Sequence, residues 1–262
     1  MDLELSGRKA LVTGGSRGIG RATAVALSRE GVRVAIAARE AGALDEATRE
    51  IEAATGARPF AVRADCTRPA DVTAMMASVA DTFGGLDILV NSVGAARGGH
   101  FVDLREEDWA ESIASKLMGE IRCCREALPL LRKSGAGVII NVTGQRGKQP
   151  DALALPASVT NAGLANFIVG LAQAEASRGV RVVGVSPGPV ETRRIHGIFE
   201  TEARLAGVSV QTVRERWVAS VPLGRIARVE EVADVIVFLA SPRAGFISGT
   251  TIQVDGAGMR GV

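Results

Sequence analysis

A short apolar run, Lys9–Thr13 (KALVT), leads directly into Gly14-Gly-Ser-Arg-Gly-Ile-Gly20 and then into a segment of helical period from Ile19 to Glu30. This strand–glycine turn–helix unit constrains the fold more than any other feature of the chain. Gly14 lets the chain turn sharply, Gly18 keeps the backbone open to a pyrophosphate, and Gly20 permits close helix–strand packing. The first N–H groups of the helix have no partner within it. They offer hydrogen bonds and a partial positive charge to an anion. A glycine pattern alone is weak, but its place between a strand and a helix points to dinucleotide binding.

The same alternation continues to the C-terminus. Strands are expected at Val32–Ala37, Pro59–Ala64, Leu86–Asn91, Gly137–Val142, Val180–Ser186 and Thr250–Val254. Helices are expected at Ala41–Thr55, Pro69–Phe83, Glu106–Leu131, Pro156–Arg178 and Glu230–Leu239. Apolar strands that each lead into a helix imply a parallel sheet covered on both faces. The expected fold is α/β: a doubly wound, Rossmann-like parallel sheet of about seven strands in a single domain over 1–262. A charged helical insertion interrupts it at about 191–219.

Composition narrows the function. The net charge is only +2 over 262 residues, and no Lys/Arg-rich run marks a nucleic-acid surface. Three cysteines, Cys66, Cys123 and Cys124, are too few and too badly spaced for a disulfide framework or a metal site. The segment Met1 to Arg8 is polar, so no signal peptide is expected, and no window approaches the roughly 18–20 apolar residues of a membrane helix. A cytoplasmic protein with no membrane or nucleic-acid partner is expected.

The second strand ends at Ala37-Ala38-Arg39, where NAD-binding sheets carry an acidic residue for the ribose 2′-hydroxyl. Arg39 here, with Arg17 in the glycine loop, suits a 2′-phosphate instead. NADP(H) is expected over NAD(H).

These residues bring a family into view. Thr13-Gly-Gly-Ser-Arg-Gly-Ile-Gly20 resembles the cofactor loop of the single-domain short-chain dehydrogenases/reductases. Asn91-Ser-Val-Gly94 is similar to the family's Asn-Asn-Ala-Gly, and Pro187-Gly-Pro-Val-Glu-Thr192 to its Pro-Gly turn. Pro222-Leu-Gly-Arg225, Phe238-Leu-Ala-Ser241 and Asp255-Gly256 resemble its C-terminal landmarks. The resemblance implies a cofactor site of Gly14, Ser16, Arg17, Gly18, Ile19, Gly20, Arg39, Asp65, Asn91, Gly94, Pro187, Gly188 and Thr192. Asp65 would hold the adenine, Asn91 would steady the sheet and line the cofactor, and Thr192 would contact the nicotinamide carboxamide. It also implies a homo-oligomer, a tetramer or dimer.

The resemblance fails at the chemistry. The family uses a tyrosine four residues before a lysine, so that both share a helix face, with a serine and an asparagine nearby. This chain contains no tyrosine. Aligning Asn161-Ala-Gly-Leu164 with the family's Lys-Ala-Gly-Leu puts Asn161 at the lysine position and Ala157 at the tyrosine position. The serine position falls on Gly144, beside Thr143 and Gln145, and the asparagine position on Lys116. Lysine and asparagine are thus exchanged. Lys116 lies in an apolar helix, where a desolvated amine would serve as acid, base or nucleophile; equally, it would fill space and neutralise a carbonyl or a phosphate. Thr143, Asn161 and His196, in the insertion, are further candidates; a histidine there would be a proton donor or, equally, a solvent-facing loop residue.

Three functions follow: an NADP(H)-dependent oxidoreductase on a small carbonyl or alcohol substrate with a non-standard proton donor; a non-redox enzyme reusing the pocket for hydrolysis, dehydration or C–C cleavage; and a non-catalytic cofactor-binding subunit. Arg97, Arg146, Arg193 and Arg194 near the pocket entrance would favour an acidic or acyl-carrier substrate, or be surface arginines.

Overall fold

A computed structural model describes residues 2–94 and 97–260. Its strands are β1 (Lys9–Thr13), β2 (Arg33–Ala38), β3 (Phe60–Arg63), β4 (Ile88–Asn91), β5 (Gly137–Val142), β6 (Val180–Pro187) and β7 (Thr251–Val254). They form one sheet in the order β3-β2-β1-β4-β5-β6-β7, with every neighbouring pair parallel. The helices are α1 (Gly18–Arg29), α2 (Ala41–Thr55), α3 (Pro69–Phe83), α4 (Glu106–Ser112), α5 (Met118–Ser134), α6 (Leu155–Glu175), α7 (Arg193–Ala206), α8 (Val210–Ala219) and α9 (Val229–Ala240).

Apolar side chains of both sheet faces explain this layering. On one face Val12, Ile36, Val90 and Ile140 pack against Ala24 and Leu27 of α1 and Ile236 of α9. On the other, Leu11, Leu89 and Ile139 pack against Met75 and Val79 of α3, Leu131 of α5 and Ile168 of α6. A strand whose successive side chains are all buried, as in β4 and β5, belongs in the middle of such a sandwich. The fold is the doubly wound Rossmann-like sheet expected from the sequence.

Three details differ from the sequence reading. The long helix expected over Glu106–Leu131 is α4 and α5 joined by a widened π-helical turn at Ile113–Leu117. Arg122 donates to the Ala114 carbonyl within that turn at 3.2 Å, and to the Cys66 carbonyl at 3.3 Å. Second, the stretch Leu155–Arg178 is long and apolar enough, by length and composition, to cross a membrane, against the expectation that no window comes near. Its Leu164, Ile168 and Ala172 are buried, the last two against the sheet. Third, the insertion is a helix pair with a small core of its own, built on Ile195, Phe199, Ala203, Val213 and Ile226.

The strand order reverses between β1 and β4, and there a polar ladder crosses the core. Thr13 donates through its hydroxyl to Asn91 Oδ1 at 3.0 Å, and Asn91 Nδ2 donates to Asn141 Oδ1 at 2.9 Å. All three residues are fully buried and stand opposite one another in the parallel register. Asn91→Ala would leave the Thr13 hydroxyl only its longer bond to the Val90 carbonyl and Asn141 Oδ1 only the Cys124 thiol, a cost of about 1–3 kcal/mol. Urea unfolding should show that loss with an unchanged slope; a change below about 0.5 kcal/mol would mean that the ladder contributes no net stability.

Candidate active site

Parallel strands deliver their following loops to one edge, and a crevice opens there where the strand order reverses. Here it is a cavity of about 590 Å³. Gly18 and Ile19 line it from the start of α1, Ser92–Gly94 from the end of β4, Val142–Arg146 from β5, and Pro187–Val190 from β6. Ile195 and Ile198 of α7 and Trp217 of α8 close it from above.

Backbone proximity explains the glycines. Gly14 has φ +69°, and a Cβ there would lie 2.3 Å from the Ser92 carbonyl oxygen. A Cβ on Gly20 would lie 2.3 Å from the Gly14 carbonyl, so helix and loop meet only without side chains. Arg17 caps α1 without any side-chain hydrogen bond, so the helix N-terminus keeps free N–H groups beside the cavity. Thr192 faces Gly18, its Cγ2 3.4 Å from where a Cβ would stand. Arg17, Gly18, Ile19, Gly94, Pro187, Gly188 and Thr192 all line the cavity; Gly14, Ser16 and Gly20 shape the loop behind it. These residues fit a phosphate-bearing cofactor.

Beyond the loop lies a charged shelf. Arg17 pairs with Glu40 at 2.8 Å, both of them half-exposed, and Arg39 stands exposed next to Glu40. Glu40 was missed in the sequence reading, although it directly follows Arg39. Asp65 turns back on its own chain, accepting from the Thr67 N–H at 2.9 Å and hydroxyl at 2.8 Å. Burial opposes its ionisation, but the Thr67 hydrogen bonds and the charges of Arg39 and Arg68 outweigh that and hold the carboxyl below its ordinary value. Asn91 is not on the cavity wall; its side chain is committed to the ladder within the sheet.

At the inner end stands Lys116, in the widened turn and nearly buried. Its ammonium donates to Glu120 Oε1 at 2.6 Å, to the Val93 carbonyl at 3.3 Å and to the Val142 carbonyl. An ammonium has three N–H groups, and all three are engaged. A lone-pair nucleophile does not fit this arrangement; neutralising carbonyls does. Thr143 donates its hydroxyl back to the Val185 carbonyl at 3.1 Å. Asn161 lies across from Gly144, whose Cβ would stand 3.0 Å from Asn161 Nδ2, and its own Oδ1 is buried without a partner. Ala157, Gly144, Thr143 and Asn161 share the cavity wall with Lys116. His196 does not join them. It sits half-exposed on α7, with Nε2 2.8 Å from Glu191 Oε1, outside the cavity lining. That placement removes it as a proton donor here.

Comparisons with known proteins agree with this geometry. A family model described as enoyl-(acyl carrier protein) reductase matches residues 14–259. The chain is 32% identical to the 3-oxoacyl-[acyl-carrier-protein] reductase FabG of Staphylococcus aureus, over 95% of this chain and 97% of that one. It is 33% identical to the protein of the same name from Vibrio cholerae, over 97% and 98%. In structure it is similar to L-sorbose reductase from Gluconobacter frateurii, solved as a complex with NADPH and L-sorbose, with TM-score 0.93, 31% identity and full coverage of both chains.

The residue that sequence reasoning missed at the inner end is Glu120, four positions after Lys116 on the same helical face. It is fully buried, with Oε2 unpartnered. Burial pushes its carboxyl up to about 7, against the opposing pull of the Lys116 ammonium. A folded-state value above the unfolded one means that the native protein holds an extra proton between pH 4.5 and about 7. The stabilisation from Glu120 is therefore complete below its unfolded value and is lost as the pH rises through about 7. Denaturation midpoints of the native chain should fall between about pH 5 and pH 7 more than those of Glu120→Gln, which lacks the titrating group. Parallel profiles would show that Glu120 does not take up that proton.

Proposed function

Because the chain belongs to the short-chain dehydrogenase/reductase family, we propose that it is an NADP(H)-dependent oxidoreductase acting on a small carbonyl or alcohol substrate. The observation that carries this reading is the uncapped α1 N-terminus opening beside the cavity, with Arg17 and Arg39 at its outer end. The free N–H groups suit a pyrophosphate, and the two guanidinium groups suit a 2′-phosphate. Arg17 reaches that phosphate by releasing or sharing Glu40. Thr192 and the Pro187-Gly188 turn bound the nicotinamide end. The NADPH held by L-sorbose reductase and the ketone chemistry in the names of the curated relatives support the same choice.

When bound, the cofactor supplies the hydride; the protein's part is position and proton supply. With no tyrosine in the chain, the proton comes from elsewhere. In the family's pattern Ala157, Asn161 and Gly144 stand where tyrosine, lysine and serine act, and Lys116 where asparagine stands. Lys116 is the proton donor of this reading. On substrate binding it turns one N–H from the Val142 carbonyl to the substrate oxygen, while Glu120 keeps the charge balanced from behind. Asn161, its amide facing Gly144, orients the substrate oxygen from the opposite wall.

The full engagement of the Lys116 ammonium also favours a second reading, a cofactor-binding subunit without turnover. A homo-oligomer belongs to either reading, and the apolar Val159 and Val169 left exposed on α6 are consistent with one.

Fluorescence titration of the purified protein tests the first reading. NADPH should bind at least about tenfold tighter than NADH, a difference of roughly 1.4 kcal/mol. Arg39→Ala and Arg17→Ala should each remove most of that preference, and Glu40→Gln should strengthen NADPH binding by freeing Arg17. Failure of both nucleotides to bind would sink the oxidoreductase.

A screen of small carbonyl compounds for NADPH oxidation then separates the two readings. Lys116→Ala should cost about 10²–10⁴-fold in turnover, the range of a general acid, with NADPH affinity little changed. No oxidation by the native chain across the screen would favour the non-catalytic subunit.

A further inference from the structure

A second cavity of about 320 Å³ adjoins the first, and the two share Arg146, Ala157, Arg194 and Ile198 in their walls. Besides these, the loop carrying Arg97 and the α7 residues Glu202 and Arg204 line it. Four arginines thus line a space whose only acidic wall residue among the described residues is Glu202.

The charges around it do not cancel. Arg97 is paired with Asp108 at 3.2 Å, and Arg146 with Asp151 at 2.7 Å. Glu202 accepts from Trp217 Nε1 at 2.8 Å and lies 3.7 Å from Arg146. Arg194 donates to the Gly94 carbonyl at 2.7 Å and has no acidic partner among the described residues. Arg204 has no ion pair among them either. Arg194 is exposed to solvent by surface area, yet desolvation by the atoms packed round it, and then the charge of Arg146, lower its guanidinium from the ordinary value. Arg146 itself is fixed in place, stacked 5.2 Å from the centre of the Trp217 ring.

We propose that this second cavity is the subsite for an anionic group of the substrate, a carboxylate or a phosphate, held by Arg194 and Arg204 beside Arg146. Guanidinium forks match the planar oxygen pairs of either group. The two cavities meet at their shared wall residues, among them the small Ala157. A substrate bearing its anionic group a few bonds from the reacting carbon spans both spaces. The proposal rests on the first cavity as the place of reaction, but its test needs neither cofactor nor turnover.

The chain has two tryptophans, so Trp109→Phe leaves Trp217, against Arg146, as the only indole. Full-length protein of that background is titrated at constant ionic strength with succinate, inorganic phosphate and uncharged succinamide, following Trp217 emission. Succinate or phosphate should give a saturable change and succinamide none; whichever anion binds tighter identifies the group. Arg194→Gln and Arg204→Gln should each weaken binding at least about tenfold, roughly 1.4 kcal/mol, while Arg125→Gln, outside both cavity walls, leaves it unchanged. Arg204 is exposed, so its variant keeps the test open if Arg194→Gln does not fold. A flat response, equal binding in the Arg204→Gln variant, or an equal loss of binding in Arg125→Gln would overturn the proposal. Failure of NADPH to bind in the separate titration would leave this result standing, so the two readings fail independently.

Discussion

The Lys116 ammonium spends its three N–H groups on Glu120 and on the carbonyls of Val93 and Val142, and the inner half of the cavity is organised around those bonds. Val93 follows β4 and Val142 ends β5, so one cation spans the loops of two central strands where the sheet opens. Gly94 lets it in: a Cβ there would stand 2.6 Å from Lys116 Cα. The widened turn at Ile113–Leu117 carries Lys116. Such turns shift the register of a helix by one residue and often occur at functional positions. Glu120, fully buried, gives that ammonium a close acceptor, and it supplies a full countercharge above about pH 7, where its carboxyl ionises.

The parts of this molecule legible in the sequence are those governed by local chemistry. The glycine loop was readable because glycine spacing reports backbone conformation and close approach directly, and Gly14 meets Ser92 as that spacing implies. Helices α2 and α3 and strands β1 and β5 fall on the residues expected, since apolar period and turn residues agree there. The widened turn was not legible, because the apolar rhythm of Glu106–Leu131 runs through it without a break. His196 was misplaced for a related reason: the insertion was recognised, but not which face of α7 turns outward. His196 packs edge-on against Phe199, which is fully buried in the core of that insertion, and turns its Nε2 outward to Glu191.

Glu40 and Glu120 illustrate a different gap. Both lie at spacings from a basic residue that sequence displays openly, Glu40 beside Arg39 and Glu120 four residues after Lys116. Yet the sequence cannot tell a solvated charge from a partner, because that depends on burial. Glu120 has none of its surface exposed, whereas Glu40 is largely exposed. The first alters the protonation chemistry of the cavity; the second restrains Arg17 and is easily displaced.

A net charge of +2 conceals how unevenly the charges are spread. Guanidinium groups gather in two places: Arg17 on the wall of the first cavity, with Arg39 exposed next to Glu40, and Arg146, Arg194 and Arg204 at the second cavity. Between them the wall mixes apolar groups with neutral polar ones, among them Thr143, Gln145 and Asn161, and Lys116 is hydrogen-bonded to Glu120. Such an arrangement favours a long ligand pair with negative charge at its two extremities and a neutral reacting centre in the middle. In a cleft with low-dielectric walls the two cationic ends focus field outward and draw anions in, while the compensated centre leaves the reacting atoms free of a net local charge. The segregation of charge therefore serves both recognition and chemistry: the same fold that brings the strand ends together holds the cations apart.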